Sequence, residues 1–102
     1  MNEELFTKFY DALIGDEDSL LIGIRFKKCI NREKYQLLLT LLDEIREEFT
    51  GSEMIPKKYA ALFMPFYVAI TSSLDFYSEQ EQIEIEDIAD KMMEKFDIIL
   101  CN

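Results

Sequence analysis

Sixteen consecutive residues without a charge, Tyr59 to Leu74, constrain this chain more than any other feature. Wound as a helix, Tyr59-Ala-Ala-Leu-Phe-Met-Pro-Phe-Tyr-Val-Ala-Ile70 is apolar on every side, so other apolar surface must surround it. Pro65 lies in its middle, where the ring removes a backbone donor and clashes with the preceding turn. A helix over 56–74 is therefore kinked or split there. A run this short and broken falls below the ~20 apolar residues that span a bilayer, and no membrane role is expected. The fold it predicts is all-α, a compact bundle of four to five helices around this central apolar fourth helix. Should the bundle fail to enclose it, some of Phe63, Met64, Phe66, Tyr67 and Val68 stay exposed and mark an interface, most simply a homodimer through helix four.

The remaining helices follow from periodicity and end signals. Leu5, Phe6, Phe9, Tyr10, Leu13 and Ile14 recur at helical spacing and place a first helix over 2–14, closed by Gly15 and Asp16-Glu17-Asp18. Residues 19–30 carry two patterns at once. Leu20, Ile22, Ile24 and Phe26 alternate as in a strand, whereas Ile22, Phe26, Cys29 and Ile30 share a helix face. A lone strand has nothing to pair with, so helix is expected, weakened by Gly23 by ~1 kcal/mol. A third helix over 31–49 is capped by Asn31 and carries Tyr35, Leu38, Leu39, Leu42, Ile45 and Phe49 on one apolar stripe. Pro56 suits the first turn of the fourth. Ser78 and Glu81 form a capping box for the last helix, which runs to about Leu100 with Ile85, Ile88, Ala89, Met92, Phe96, Ile99 and Leu100 inward. At 102 residues these elements make one helical domain over 1–102.

The chemistry is bounded mainly by absence. There is no histidine, which removes histidine bases, Ser-His-Asp and Cys-His arrangements and most zinc sites. Three glycines cannot build a phosphate-cradling loop. Asp16-Glu17-Asp18 opens like a calcium loop, but Leu21 stands where glycine is needed and Lys27 where glutamate is needed. Cys29 and Cys101 are not in a CxxC spacing and read as reduced thiols of a cytoplasmic protein. Cys29, although it follows Lys27 and Lys28, is expected to be a buried structural thiol on an apolar helix face. The acidic start Met1-Asn2-Glu3-Glu4 lacks the basic opening of a signal peptide. Glu44-Ile45-Arg46-Glu47 and Glu84-Ile85-Glu86-Asp87 resemble the ExxE and ExxD pairs of the all-α nucleoside triphosphate pyrophosphatases. That resemblance implies Mg²⁺ held between two helices. A whole extra apolar helix separates the two fragments here, and no basic substrate-binding residues accompany the second. The expectation is no enzyme, no metal and no cofactor.

Charge supplies the positive argument. The net charge is −10, which repels nucleic acid and attracts cationic surfaces. Seven acids and no base lie between Asp75 and Asp90, whereas Arg25, Lys27, Lys28, Arg32 and Lys34 crowd a short segment earlier. The helix dipole favours acids in the first turn only, which covers Glu79 and Glu81 but not Glu84, Asp87 or Asp90. Those three are expected to form an outward anionic ridge that costs stability in the free protein. With Phe76 and Tyr77 beside it, the ridge has the layout of aromatic anchors and steering charges found at tight interfaces. The partner-binding residues read from the sequence are thus Phe76, Tyr77, Glu79, Glu84, Asp87 and Asp90, and the expected partner is a basic protein. In size, acidity and helicity, though through no shared motif, the chain resembles the nuclease-colicin immunity proteins. That resemblance implies an inhibitor that caps a nuclease toxin; the alternatives are a homodimeric accessory protein and the Mg²⁺-dependent pyrophosphatase.

Overall fold

A computed structural model describes residues 3–101, and every regular element among them is helical. Helix α1 (Glu3–Tyr10) widens into a π-helical turn over Asp11–Gly15, and α2 (Leu20–Ile22) widens likewise over Gly23–Lys27. Then come α3 (Arg32–Glu48), α4 (Lys57–Phe63), α5 (Phe66–Thr71), a 3-10 turn at Leu74–Phe76, and α6 (Glu79–Leu100). The ambiguous stretch 19–30 is helical over 20–27 and leaves the helix at Lys28, short of the expected end; the predicted start at Asn2 lies outside the described residues. Side-chain caps open three helices. Ser19 accepts from the Ile22 amide, Asn31 from the Lys34 amide, and Ser78 shares a reciprocal box with Glu81. Pro65 interrupts the fourth predicted helix: α4 stops at Phe63 and α5 starts at Phe66, with Met64 and Pro65 between them still at right-handed helical angles.

Ion pairs reveal how the helices run. Arg32 pairs with Glu84 and Asp43 with Lys95, both 52 positions apart, so α3 and α6 lie side by side in the same direction. The two pairs are three helical turns apart, roughly 16 Å, and join the same faces of the two helices. Helix α1 runs against α3. Lys34, in the first turn of α3, meets Asp16 and Asp18 beyond the end of α1, whereas Phe49, past the other end of α3, and Phe6 of α1 both pack on Tyr59. Helices α4 and α5 carry the chain back along α6 to its start. At 22 residues α6 is ~33 Å long by its rise per residue, close to the full 41 Å axis of the molecule.

Aromatic rings fill the centre. Tyr59 touches Phe6, Phe9, Phe49 and Phe63 at centroid distances of 5.1–6.5 Å. Phe63 stacks on Phe96 at 4.2 Å, nearly parallel, and Phe66 meets the same ring edge-on at 5.2 Å. Each such buried side chain contributes ~1.5–3 kcal/mol through lost water contact, and the paired rings add ~0.5–1.5 kcal/mol.

Two expectations about this core need correction. The fourth predicted helix is enclosed on one face only. Tyr59, Phe63, Phe66 and Ile70 are buried, but Met64 is 78% exposed, Val68 72%, and Tyr67 is also exposed. Lys57–Phe76 is long and apolar enough by composition to cross a membrane; here it bends at Pro65 and lays one side on the core. Leu100, placed on the inward stripe of α6, is exposed at the stripe's edge, beside a groove that Phe63 and Met64 leave open.

One polar atom sits badly in this core. The Tyr59 hydroxyl is buried and has no hydrogen-bond partner among the described residues. Burial first, then the charges of Glu48 and Glu3, push its pKa up to about 12. Tyr59→Phe is expected to leave stability unchanged or raise it by up to ~1 kcal/mol in urea denaturation, since an unsatisfied buried group is removed. The pH dependence has a definite sign. The unfolded phenol ionises at its ordinary 10.0 while the folded one keeps its proton, so stability is full below pH 10 and falls as pH rises toward about 12. The variant should lose less over that window.

Candidate interaction surface

The inward stripe of α6 determines what the helix shows outside. Ile85, Ile88, Ala89, Met92, Phe96 and Ile99 are buried. At about 100° per residue, the opposite face then carries Glu79, Ile83, Glu86, Asp87, Asp90, Glu94 and Asp97, with Lys91 on its flank, and all eight are exposed. Six carboxylates thus follow one face for ~27 Å. None of the six enters an ion pair among the described residues, although Lys34, Lys58, Lys95 and Arg32 are all paired elsewhere. Burial, and secondly the charge of Asp87, raise the pKa of the nearby Tyr35 hydroxyl.

The residues expected from sequence to bind a partner do not form one surface. Glu79, Asp87 and Asp90 lie on the outward face as expected. Glu84 does not: it faces α3, where the Arg32 guanidinium grips it with two hydrogen bonds, Nε to Oε2 at 2.6 Å and Nη2 to Oε1 at 2.7 Å. That forked donation, opposed in part by burial and aided by the opposite charge, holds the Glu84 carboxyl below the usual carboxylate range. Tyr77 is not an available anchor either. It is 7% exposed, and its hydroxyl donates to the Ile24 carbonyl at 2.6 Å, so it is a core residue joining two segments far apart in sequence. Phe76 is exposed, but the Lys28 ammonium lies over its ring, which assigns it to a cationic neighbourhood and not to the acidic face.

Sequence reasoning stopped the ridge too early. Glu86, Glu94 and Asp97 belong to it, and the signal was present: Asp90, Glu94 and Asp97 continue the row at spacings of four and three. Cys29 is a further correction. The helical turn ends at Lys28, whose φ of 55° is left-handed, and the chain leaves the helix before Cys29, whose thiol is exposed and unbridged.

The concave regions hold little polar chemistry. A groove of about 290 Å³ is lined by Phe63, Met64, Met93, Phe96, Asp97 and Leu100. A shallower one of about 360 Å³ is lined by Phe49, Met54, Ile55 and Pro56. A void of about 20 Å³, room for a single water, lies among Leu42, Asp43, Arg46, Lys95 and Ile98. Among the described residues no three Asp, Glu or Cys side chains come together as metal ligands, so the paired fragments at Glu44 and Glu84 do not converge. No family model, curated protein or solved structure matches the chain.

The Arg32–Glu84 pair makes a measurable prediction. The Glu84 carboxyl should titrate below its ordinary value in an NMR pH series, and Arg32→Ala should return it to that range. Because the folded pKa is the lower one, the pair's stabilisation is present above the unfolded pKa and is lost as pH falls through the folded one. The variant should lack that acid-side slope in thermal melts.

Proposed function

We propose that this chain is a non-catalytic acidic binding protein that caps a basic protein surface with the outward face of α6, in the manner of an immunity or antitoxin-type inhibitor. The observation that carries this reading is the row of six exposed carboxylates, Glu79, Glu86, Asp87, Asp90, Glu94 and Asp97, with no cation paired to any of them among the described residues.

Folding rewards that row little: Lys91, four residues after Asp87 and three before Glu94, is the single base among them. Like charges at i,i+3 and i,i+4 cost a few tenths of a kcal/mol each, by ~0.2–0.5. The helix dipole favours an acid at Glu79 but opposes Asp97, in the last turn. Ile83 stands exposed within the row and offers an apolar contact. A cationic surface repays the accumulated repulsion on contact, and the field of a −10 chain speeds its approach. A nuclease toxin is the kind of partner that fits, because its substrate-binding surface is cationic by necessity.

The test is capture from the native cell by the wild-type chain beside an Asp87→Lys/Asp90→Lys/Glu94→Lys variant, with retained proteins identified by mass spectrometry. A basic protein held by the wild type and lost by the variant is expected, with an association rate that falls steeply with salt. If it is a nuclease, adding the wild-type chain should block its cleavage of DNA or RNA. Equal capture by both forms, or a neutral or acidic partner, overturns the assignment.

A further inference from the structure

At the end of the molecule where α3 and α6 begin, two segments distant in sequence build a surface separate from the row Asp87–Asp97. Phe26, on the turn after α2, is 67% exposed, and Phe76, just before α6, is 72% exposed. Each ring carries a cation. The Arg25 guanidinium lies 5.5 Å from the Phe26 centroid, and the Lys28 ammonium 4.3 Å from that of Phe76. With Lys27 these make three neighbouring cations, none in an ion pair among the described residues, in a chain whose acids outnumber its bases 21 to 11. Asp75 and Glu79, on either side of Phe76 in sequence, are exposed and equally without an ion pair. Both signs of charge are close together on one copy and do not meet.

This surface is held stiffly. The buried Tyr77 hydroxyl bonds to the Ile24 carbonyl at 2.6 Å and ties the two segments together next to Phe76 and Arg25. The Cys29 amide reaches back to the Gly23 carbonyl at 3.1 Å, and a Cβ on Gly23 would stand 3.1 Å from the Cys29 carbonyl oxygen. Lys28 accordingly takes the left-handed conformation in which glycine is usual. A lysine there accepts steric strain and delivers its ammonium to Phe76. Groups fixed before contact lose little freedom on binding.

We propose that this end is a twofold interface between two copies of the chain. Phe26 and Phe76 form its apolar centre, and Arg25, Lys27 and Lys28 of one copy meet Asp75 and Glu79 of the other. The argument for a second copy as the occupant is charge. A twofold contact presents the same patch twice, so a patch with cations and carboxylates around exposed aromatics complements itself. Contact through the outward face of α6 would instead press carboxylates against carboxylates. A nucleic acid strand fits less well, since three cations neutralise few phosphates and the rest of the strand meets a −10 body. The pairing takes Glu79 from the carboxylate row but leaves Glu86, Asp87, Asp90, Glu94 and Asp97 open, and the variant that tests the basic partner alters none of its residues, so the two outcomes are distinguishable.

Light scattering after gel filtration, from micromolar to millimolar chain, tests this. The wild type is expected to approach twice its 12.1 kDa mass as concentration rises. Lys27→Glu/Lys28→Glu and Asp75→Lys/Glu79→Lys should each weaken association by about tenfold or more, because each then opposes like charges. Mixed in equal amounts, the two variants should pair again, one to one. All four positions are exposed, so unchanged circular dichroism and melting separate lost pairing from lost folding. A wild type that stays monomeric throughout overturns the proposal, as does a dimer that survives Lys27→Glu/Lys28→Glu. A dimer broken by Val68→Lys alone moves the interface to the exposed side of α4 and α5. Masses that grow past two chains mean head-to-tail contacts, and a monomer that binds oligouridylate through Lys27 and Lys28 means a nucleic-acid surface.

Discussion

Phe96 is the ring on which the orientation of this molecule depends. Phe63 covers its face and Phe66 meets its edge, from the two sides of the break at Pro65. Held in this way, α6 cannot rotate about its own axis without pulling a stacked ring out of the core. Its rotation then decides everything at the surface: which flank meets α3, which edge borders the apolar groove, and which row of carboxylates faces outward. The acidic face is thus a by-product of core packing only in its direction. Its composition is a separate fact that packing does not explain.

The seam between α3 and α6 shows how weak interactions select among arrangements. Exposed ion pairs contribute little stability, ~0–1 kcal/mol each. Their signs matter more. Arg32 faces Glu84 at one end and Asp43 faces Lys95 at the other. Packed in opposite directions about the same midpoint, the helices would set Arg32 against Lys95 and Asp43 against Glu84. The reversal of sign along the seam therefore favours the parallel arrangement and penalises the other.

Much of this was legible in the sequence, because helix ends and stripes are local. Asn31, Ser78 with Glu81, and Pro65 mark boundaries through their own backbone chemistry, and the inward residues of α3 and α6 repeat at helical spacing. What escaped was set by long-range contacts or by backbone angles. Glu84, Asp87 and Asp90 looked like one ridge, yet each step of three residues drifts roughly 60° round a helix. Glu84 therefore ends on the flank facing α3, and its partner Arg32 lies 52 positions earlier. Phe76 and Tyr77 are neighbours in a short turn outside any periodic pattern, so nothing local says that one is exposed and the other buried. The left-handed Lys28 carries no sequence mark, since glycine is the usual sign, and with it went the placement of Cys29. The one-sided burial of 59–70 depends on how many neighbours reach it, which periodicity does not count.

Because α3 and α6 point the same way, the chain between them must cross the body from end to end, and it does so after a turn at 49–56. That turn is exposed from Thr50 to Met54, with Gly51 at a φ of 79°. The pairs Glu3–Lys58, Phe9–Phe63, Ile24–Tyr77, Arg32–Glu84 and Asp43–Lys95 all join a residue before it to one after it. The molecule is in effect two half-cores docked face to face, with residues 50–54 serving as a tether. A tether tolerates length. Loop extension, a fused domain or a backbone nick is thus accommodated there, and the severed halves retain complementary faces through which to reassemble.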